Sequence, residues 1–382
     1  MAFFQAFRIA FTTGNKLRRR HRTFRLLYLD DRRWGKLRNG LNRLPLRQAE
    51  FTFGEPMKYD LYGIGNALVD MEYQVSDDKL ARLGVDKGLM TLIEEDRHHE
   101  LVAQLSDLDH KKASGGSAAN TVIATAQLGG KSFYSCKVSS DDFGDFYLQD
   151  MQACGVDTNL DGQTRVDGTT GKCIVMVTPD ADRTMNTYLG VTVGLDEDAV
   201  SAEAIQNSKY VYMEGYLVAS PTGKAAALKA AATAKQANVP TVLTLSDPNM
   251  VEFFGDGLME MAGDNLDLLF CNDDEAAMMT KTDSPERAAE ALKKIARRFA
   301  ITVGADGSLV YDGEKMHKVP APSVDVIDTN GAGDMYAGAF LYGLTHDMSF
   351  VDSATLASKA ASKIVTHFGP RLPAQQTRAL LG

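Results

Sequence analysis

The sequence predicts an α/β protein with a mainly parallel sheet, and three features carry this prediction. From Ser208 onward, strand-like and helical segments alternate in the manner of βαβ units. An apolar run that starts at Tyr59 ends in glycine at Gly65, and in such sheets ligands collect beyond the strand ends. A polar, glycine-broken turn at 328–334 then leads directly into a helix of small and apolar residues. We therefore expect the functional residues to follow these strand ends and turns.

Composition excludes several classes of protein. The chain has 382 residues, of which 44% are hydrophobic and 24% are charged. It has no run of about 18 apolar residues, so we expect no membrane span. Its four cysteines and seven histidines show no metal-binding spacing. We therefore expect a protein of a reducing compartment, the cytoplasm, without disulfides or structural zinc.

The first 56 residues differ from the rest of the chain in charge. Residues 1–56 hold 13 Lys and Arg against 4 Asp and Glu, whereas the remainder has a net charge of −18. Residues 57–63 read as the natural start of a first strand. We therefore expect 1–56 to be a basic N-terminal extension that is disordered or dispensable, and 57–382 to be the functional domain. A targeting peptide is the first alternative, and a nucleic-acid-binding arm is the less favoured one.

The first predicted strand delivers Asn66 and Asp70 to the ligand-binding edge of the sheet. The next residues, 71–75, alternate in polarity as a strand does, where a parallel sheet would continue with a helix. An inserted β segment therefore begins here. The alternative role of Asp70 is that of a loop carboxylate that stabilises a turn.

A glycine pair, Gly115 and Gly116, precedes a predicted helix that begins near Ser117. Asn120 lies one turn into this helix, where its amide is positioned to bind a ligand. Glycines before a helix are also common punctuation, so the pair gains meaning only from the motifs that accompany it.

Two further strand-like segments, 172–178 and 184–188, flank a turn that ends at Arg183. A guanidinium group binds phosphoryl oxygens in a bidentate manner, so Arg183 is a candidate to contact a transferred phosphoryl group. A solvated turn arginine is the alternative.

Two short polar motifs follow later strands. Asn272 and Glu275 open a predicted helix, where they can cap it or organise Mg²⁺ through water, and both roles are compatible. The strand 300–303 ends at Gly304, and the Gly-x-x-Gly turn that follows is more often a hairpin than a nucleotide loop. Its position shortly before the turn at 328–334 favours the nucleotide.

The turn at 328–334 has the features of an anion-binding helix start. Gly331 and Gly333 allow close approach of a ligand to backbone N–H groups that no carbonyl of the helix can accept. Asp334 lies in the first turn, where a carboxylate beside bound anions suggests a general base. The alternative is that Asp334 only complements the helix dipole.

These motifs together resemble the signatures of the ribokinase-like (pfkB) family of carbohydrate and nucleoside kinases. The pattern D-T-x-G-A-G-D is matched at 328–334, a glycine-pair signature at 114–120 and an N-x-x-E motif at 272–275. The resemblance extends over nearly all of 57–382. It implies a three-layer α/β/α sandwich with a small β-sheet lid made from segments of about 66–92 and 160–192.

The resemblance also implies ATP-dependent phosphorylation of a primary hydroxyl with Mg²⁺, and it assigns roles to individual residues. Asp334 is implied to be the base, beside an anion hole at the helix start. The implied sets are: catalytic, Asp334, Gly331, Ala332, Gly333 and Arg183; acceptor-binding, Asn66, Asp70, Gly115, Gly116 and Asn120; ATP-binding, Thr302, Gly304, Ala305, Gly307 and Asn330; and Mg²⁺ through water, Asn272 and Glu275. No Walker-A run and no protein-kinase H-R-D motif occurs.

Two details favour adenosine-kinase-like members of the family. The spacing from Asp70 to Gly115 is long, without the Pro-x-x-Gly lid motif of ribokinases, and the ending at 368–371 resembles that of adenosine kinases. We therefore expect a ribonucleoside acceptor, most of all adenosine, phosphorylated on its 5′-hydroxyl. The alternatives are a free sugar such as ribose or fructose and, less favoured, a non-catalytic sensor. We expect a monomer or a homodimer that pairs through the lid.

Overall fold

The structure, a computed structural model, describes residues 24–28, 47–51, 58–160, 164–180 and 182–382. It divides into a unit of residues 1–56 and a larger unit of residues 57–382. In the first unit, strands β1 (Phe24–Tyr28) and β2 (Arg47–Phe51) pair antiparallel. The remainder of the predicted basic extension lies outside the described residues, so its role stays a prediction.

The larger unit contains strands and helices in alternation. Its strands are β3 (Tyr59–Ile64), β4 (Leu68–Gln74), β5 (Met90–Leu92), β6 (His110–Gly115), β7 (Ser132–Ser135), β8 (Val156–Thr158), β9 (Gly171–Val177), β10 (Arg183–Tyr188), β11 (Ser208–Met213), β12 (Thr241–Thr244), β13 (Leu268–Asn272), β14 (Phe299–Thr302), β15 (Ser308–Tyr311) and β16 (Met316–Val319). Its helices are α1 (Asp77–Leu83), α2 (Glu95–Gln104), α3 (Ser117–Leu128), α4 (Asp142–Ala153), α5 (Ala202–Gln206), α6 (Pro221–Ala237), α7 (Pro248–Ala262), α8 (Asp273–Thr280), α9 (Pro285–Leu292), α10 (Ala332–Thr345), α11 (Phe350–Ile364) and α12 (Ala374–Arg378). Within the described residues, no helix is long and apolar enough to cross a membrane.

Nine strands form the main sheet, in the order β16-β15-β14-β13-β12-β11-β3-β7-β8. All pairs from β14 to β8 are parallel, and only the hairpins β14-β15 and β15-β16 are antiparallel. Successive residues of a strand point to opposite faces. In β13, Leu268 and Phe270 join one buried cluster with helices α3, α10 and α11, whereas Leu269 and Cys271 join a second cluster with α6, α7 and α9. The predicted three-layer α/β/α sandwich is therefore confirmed.

The strand order reverses between β3 and β11. From β3 the chain adds β7 and β8 on one side of the sheet, and then crosses over to add β11 through β14 on the other side. In open parallel sheets, ligands bind at the carboxyl ends of the strands beside such a switch point. The fold therefore directs attention to the residues that follow β3 and β11.

Five strands form a second, small sheet in the order β5-β10-β9-β4-β6. Helices α1 and α2 cover its outer face, where Leu80 and Leu101 are buried. The small sheet takes strands from both predicted lid segments and also includes β6, which lies beyond them. β6 begins with three exposed residues, His110, Lys111 and Lys112. This edge strand therefore lacks the alternation of polar and apolar residues from which a strand can be predicted.

Candidate active site

A cavity of about 610 Å³ is lined by residues of the main sheet's carboxyl edge and of the small sheet. It contains most of the predicted site residues: Asn66, Asp70, Gly116, Asn120, Arg183, Asn272, Glu275, Thr302, Asn330, Gly331, Ala332, Gly333 and Asp334. Gly115, Gly304, Ala305 and Gly307 are not part of its lining. Residues that are far apart in the sequence therefore meet at the switch point of the sheet.

Asp334 lies in the first turn of α10 and faces the first turn of α3. Its Oδ1 accepts a hydrogen bond of 2.7 Å from the hydroxyl of Ser117, and its Oδ2 accepts one of 3.0 Å from Nδ2 of Asn120. Burial raises the pKa of Asp334 to about 6, although these two donors and the Arg183 guanidinium act in the opposite direction. A carboxyl group with this pKa is mostly ionised at neutral pH and can still accept a proton.

The start of α10 is shaped by two glycines in different ways. Gly331 is the N-cap, with φ of 72°, and a Cβ on it would lie 2.5 Å from the carbonyl oxygen of Pro370. Gly333 has no atom within 4 Å of its Cβ position. Among the described residues, no acceptor contacts the backbone N–H groups of Gly333 and Asp334. This helix start can therefore bind an anion on its open side.

Glu214 is a site residue that the sequence analysis missed. It follows β11 and is buried, with 1% of its surface exposed. Its Oε1 accepts hydrogen bonds from N and Nδ2 of Asn66, at 3.3 and 2.9 Å, and its Oε2 accepts one of 2.9 Å from the backbone N–H of Ala118. Glu214 therefore joins the residue that follows β3 to the first turn of α3. Its place after a strand of the parallel sheet was the signal that could have revealed it.

The glycine pair positions two of the predicted acceptor-binding residues. A Cβ on Gly115 would lie 2.2 Å from Oδ2 of Asp70, and a Cβ on Gly116 would lie 2.1 Å from the carbonyl oxygen of Asn66. Gly116 also has φ of 104°, which favours glycine. The family resemblance implies that both glycines belong to the acceptor-binding set. The geometry shows that Gly115 makes room for the Asp70 carboxylate, and its contact with the acceptor stays a prediction.

Arg183 has unused hydrogen-bonding capacity at the cavity. Its Nη1 lies 3.5 Å from Oδ1 of Asp328, a buried carboxylate that also accepts hydrogen bonds from the N–H groups of Asn330 and Gly369. Its Nε and Nη1 are buried and have no hydrogen-bond partner among the described residues. Unpaired buried donors of a cation favour binding of an anion.

Asn272 and Glu275 satisfy each other at the start of α8. Oδ1 of Asn272 accepts the N–H of Glu275 at 2.7 Å, while the Glu275 carboxylate accepts the N–H and the Nδ2 of Asn272, both at 3.0 Å. Within the described residues, no group of three His, Cys, Asp or Glu side chains is arranged to hold a metal ion. The predicted contact of this pair with Mg²⁺ through water stays a prediction, in which the carboxylate would accept hydrogen bonds from waters bound to the ion.

The predicted ATP loop forms the β14-β15 hairpin. Thr302, at the end of β14, lines the cavity, whereas Gly304 to Asp306 form a 3₁₀ turn outside the lining. Gly307 has φ of 93°, and its Cβ would lie 2.1 Å from the carbonyl oxygen of Val319. The hairpin thus explains Gly307, and contact of Gly304, Ala305 and Gly307 with ATP stays a prediction.

Acidic groups with raised pKa values concentrate at and beside the cavity. Burial is the principal cause at each of them. It raises the pKa to about 7 for Asp70, Glu72, Glu214 and Glu275, and to about 6 for Asp334. Carboxyl groups grouped in this way are characteristic of functional sites, because desolvation and mutual repulsion are tolerated there for chemistry or binding.

This fold and site define a class of protein. A carboxylate of raised pKa beside free N–H groups at a helix start, with an arginine and further polar groups around one cavity, is the arrangement expected of an enzyme that transfers a phosphoryl group.

Comparison with known proteins identifies the family. The sequence model of the pfkB family carbohydrate kinases matches residues 85–377, so the chain belongs to this family. The crystal structure of adenosine kinase from Sinorhizobium meliloti superposes with a TM-score of 0.77 and 35% identity, covering 85% of this chain and 98% of that one. The fold is therefore ribokinase-like, and the similarity to adenosine-kinase-like members is confirmed.

Sequence relatives include kinases of nucleosides and of sugars. The adenosine kinase of Saccharomyces cerevisiae is 26% identical over 84% of this chain and 98% of its own length. The 5-dehydro-2-deoxygluconokinase of Clostridium beijerinckii is 28% identical over 67% of this chain and 79% of its own length. The chain is thus a phosphotransferase that acts on a hydroxyl group, and its family implies ATP as the phosphoryl donor.

Proposed function

We propose that this enzyme transfers the terminal phosphoryl group of ATP to the 5′-hydroxyl of a ribonucleoside, most of all adenosine. The observation that carries the proposal is the position of Asp334. It lies at a helix start that can bind phosphate, and it lines one cavity with Asn66, Asp70 and Asn120, the side chains predicted to bind the hydroxyls of the acceptor. An acceptor hydroxyl held by that group would stand next to the proposed base.

The remainder of the cavity supports an acceptor with an apolar ring. Apolar side chains of the small sheet and of segments outside it also line the cavity: Met90, Leu92, Met185, Leu189, Val193 and Met250. Leu92 and Val193 are 57% and 50% exposed, so a ligand can still bury them. A nucleobase would gain contact area there. A free sugar presents hydroxyls on most sides and would leave these walls uncovered.

The proposed chemistry uses positioning and charge. Asp334 accepts the proton of the attacking hydroxyl, and the amide of Asn120 holds its carboxylate in place. The N–H groups of Gly333 and Asp334 and the guanidinium of Arg183 stabilise the charge on the transferred group. Mg²⁺, when bound with ATP, would neutralise phosphate charge, and Asn272 and Glu275 would contact its waters.

A pH dependence follows from the two carboxyl groups that must be ionised. Burial raises the pKa of Asp70 to about 7 and that of Asp334 to about 6. Since a raised pKa keeps the acid protonated to higher pH, kcat/KM for the acceptor should fall as the pH drops below about 7 and fall more steeply below about 6. Initial rates between pH 5 and pH 9 at saturating ATP test this, and a profile that is flat down to pH 5 would contradict it.

A panel of acceptors tests the proposed substrate. ATP consumption by the full chain would be measured with adenosine, inosine, guanosine, ribose and fructose, with Asp334→Asn as the inactive control. Highest kcat/KM for adenosine supports the proposal. A preference for a free sugar would retain the mechanism and replace the acceptor, an alternative that the similarity to a sugar-acid kinase keeps open.

A further inference from the structure

Arg371 is a partly exposed cation beside the cavity, and none of the roles above is assigned to it. It belongs to the segment between α11 and α12. Its Nη2 forms an ion pair of 2.8 Å with Oδ2 of Asp150, and its Nη1 lies 3.4 Å from the hydroxyl of Ser114. Only 12% of its side chain is exposed, compared with 27% for Asp150. A bond between these partners is therefore shielded from the solvent that weakens surface pairs.

The same carboxylate holds the end of strand β6. Oδ2 of Asp150 accepts hydrogen bonds from both the backbone N–H and the hydroxyl of Ser114, at 2.9 and 2.5 Å. The next residue, Gly115, has no side chain. Its position is fixed through its carbonyl oxygen, which accepts a hydrogen bond of 3.1 Å from the hydroxyl of Tyr147. The Asp70 carboxylate lies directly against Gly115. A chain of contacts thus runs from Arg371 to the surface on which Asp70 rests.

We propose that Arg371 is a positioning residue for acceptor recognition: through Asp150 and Ser114 it fixes the backbone under Asp70, and its positive charge favours a carboxylate that accepts hydrogen bonds from the hydroxyls of the acceptor. Asp70 then receives the hydroxyls of the acceptor in one defined place. This inference rests on the proposed function, because it assigns Asp70 to the acceptor.

The charges around Asp70 support the electrostatic part of this inference. Burial raises the pKa of Asp70, and of the charged groups that act on it Arg371 lowers that pKa most, ahead of Arg183. The titratable groups that interact electrostatically with Asp70 come from several elements: Arg371 from the C-terminal segment, Asp334 from α10, Arg183 from β10, Cys173 from β9, Tyr147 from α4 and Glu72 from its own strand. Arg371 and Arg183 are the cations of this set. Loss of Arg371 should therefore leave Asp70 protonated to a higher pH.

The predicted effect is on binding and not on the chemical step, because Asp70 is not the base. Arg371→Gln should raise the KM for adenosine about tenfold, which corresponds to the loss of one favourable contact, and change kcat less than about twofold. In the pH profile of kcat/KM, the ionisation near pH 7, which we assign to Asp70, should move to higher pH. Arg371→Lys retains the charge, so it should retain the wild-type profile while raising KM about threefold, because it loses the fork that contacts Asp150 and Ser114.

Acceptors that lack a hydroxyl separate this role from general damage. Asp70 is proposed to accept a hydrogen bond from one hydroxyl of the ribose, and either 2′-deoxyadenosine or 3′-deoxyadenosine lacks that hydroxyl. If Arg371 acts through Asp70, the ratio of KM in Arg371→Gln to KM in wild type should fall towards one with that analogue. Arg378→Gln, at an exposed arginine of α12, is the matched control and should resemble wild type. Thermal unfolding of each variant verifies folding, and Arg371→Lys carries the deoxynucleoside comparison if Arg371→Gln does not fold.

Three results would overturn the inference: an unchanged KM in Arg371→Gln, an equal rise with adenosine and both deoxynucleosides, or a fall in kcat without a rise in KM. Failure of the proposed function looks different. In that case wild-type enzyme does not phosphorylate adenosine, and the same variants are compared on the acceptor that the panel selects, with its own deoxy analogues.

Discussion

Asp334→Asn is expected to lower kcat by about 10²–10⁴-fold, the usual contribution of a general base. Asparagine has almost the same shape, and its amide oxygen can still accept from Asn120 or Ser117, so the fold and the cavity should persist. It cannot take the proton of the acceptor hydroxyl. KM for adenosine and for ATP should therefore stay within a few-fold of wild type, and steady-state kinetics with both substrates separate the two effects.

The matched control for this variant is Asp352→Asn. Asp352 also lies in the first turn of a helix, α11, and also accepts a hydrogen bond of 2.7 Å from a serine hydroxyl, that of Ser349. If Asp334 only complemented a helix dipole, both variants would lose about 0.3–1 kcal/mol of stability and keep full turnover. Turnover close to wild type in Asp334→Asn would refute the assignment of the base.

Glu214→Ala should have the second largest effect, on stability and acceptor binding together. The substitution leaves the buried N–H of Ala118 and the two donors of Asn66 without their acceptor. We expect the free energy of unfolding to fall by about 2–4 kcal/mol. Asn66 would also lose the contact that orients it towards the cavity, so the KM for adenosine should rise more than kcat falls. Chemical denaturation and steady-state kinetics measure the two effects.

Glu252→Ala provides the comparison for this variant, since Glu252 is an exposed residue of α7. It should change neither unfolding nor KM. Equal stability of Glu214→Ala and wild type would mean that water replaces the carboxylate at no net cost, and the structural role given to Glu214 would then be wrong.

The sequence predicts the fold well because both of its strongest signals have a direct physical origin. Alternation of strands and helices favours a parallel sheet, and a glycine-broken turn before an apolar helix favours a helix start with accessible N–H groups. Both are present, at β11 to β14 and at Gly331. The turn that ends at Asp334 could therefore be predicted as part of the site before the sheet order was known, and its residues 329–334 line the cavity.

Prediction was weaker where a residue's surroundings come from distant parts of the chain. Gly115 reads as a flexible point of the backbone, yet its significance lies in the Asp70 side chain that rests on it. Glu214 carries no motif, and only the neighbourhood of β3 and β11 brings it to Asn66. The edge strand β6 has a polar sequence that is indistinguishable from a loop. In each of these cases the missing information was the identity of a neighbour from a distant part of the chain, which the local sequence pattern does not contain.

The position of β3 inside the main sheet, between β11 and β7, has a consequence for how the protein is made. Every residue of β3 is buried, and its register pairs Tyr59 with Ser208 and Leu61 with Ser132. During synthesis, this apolar strand therefore emerges long before the chain that will cover one of its edges. A nascent chain that stops before β11 should expose an open strand edge and depend on chaperones to avoid aggregation. Fragments that end between β8 and β11 should for this reason be insoluble when expressed alone.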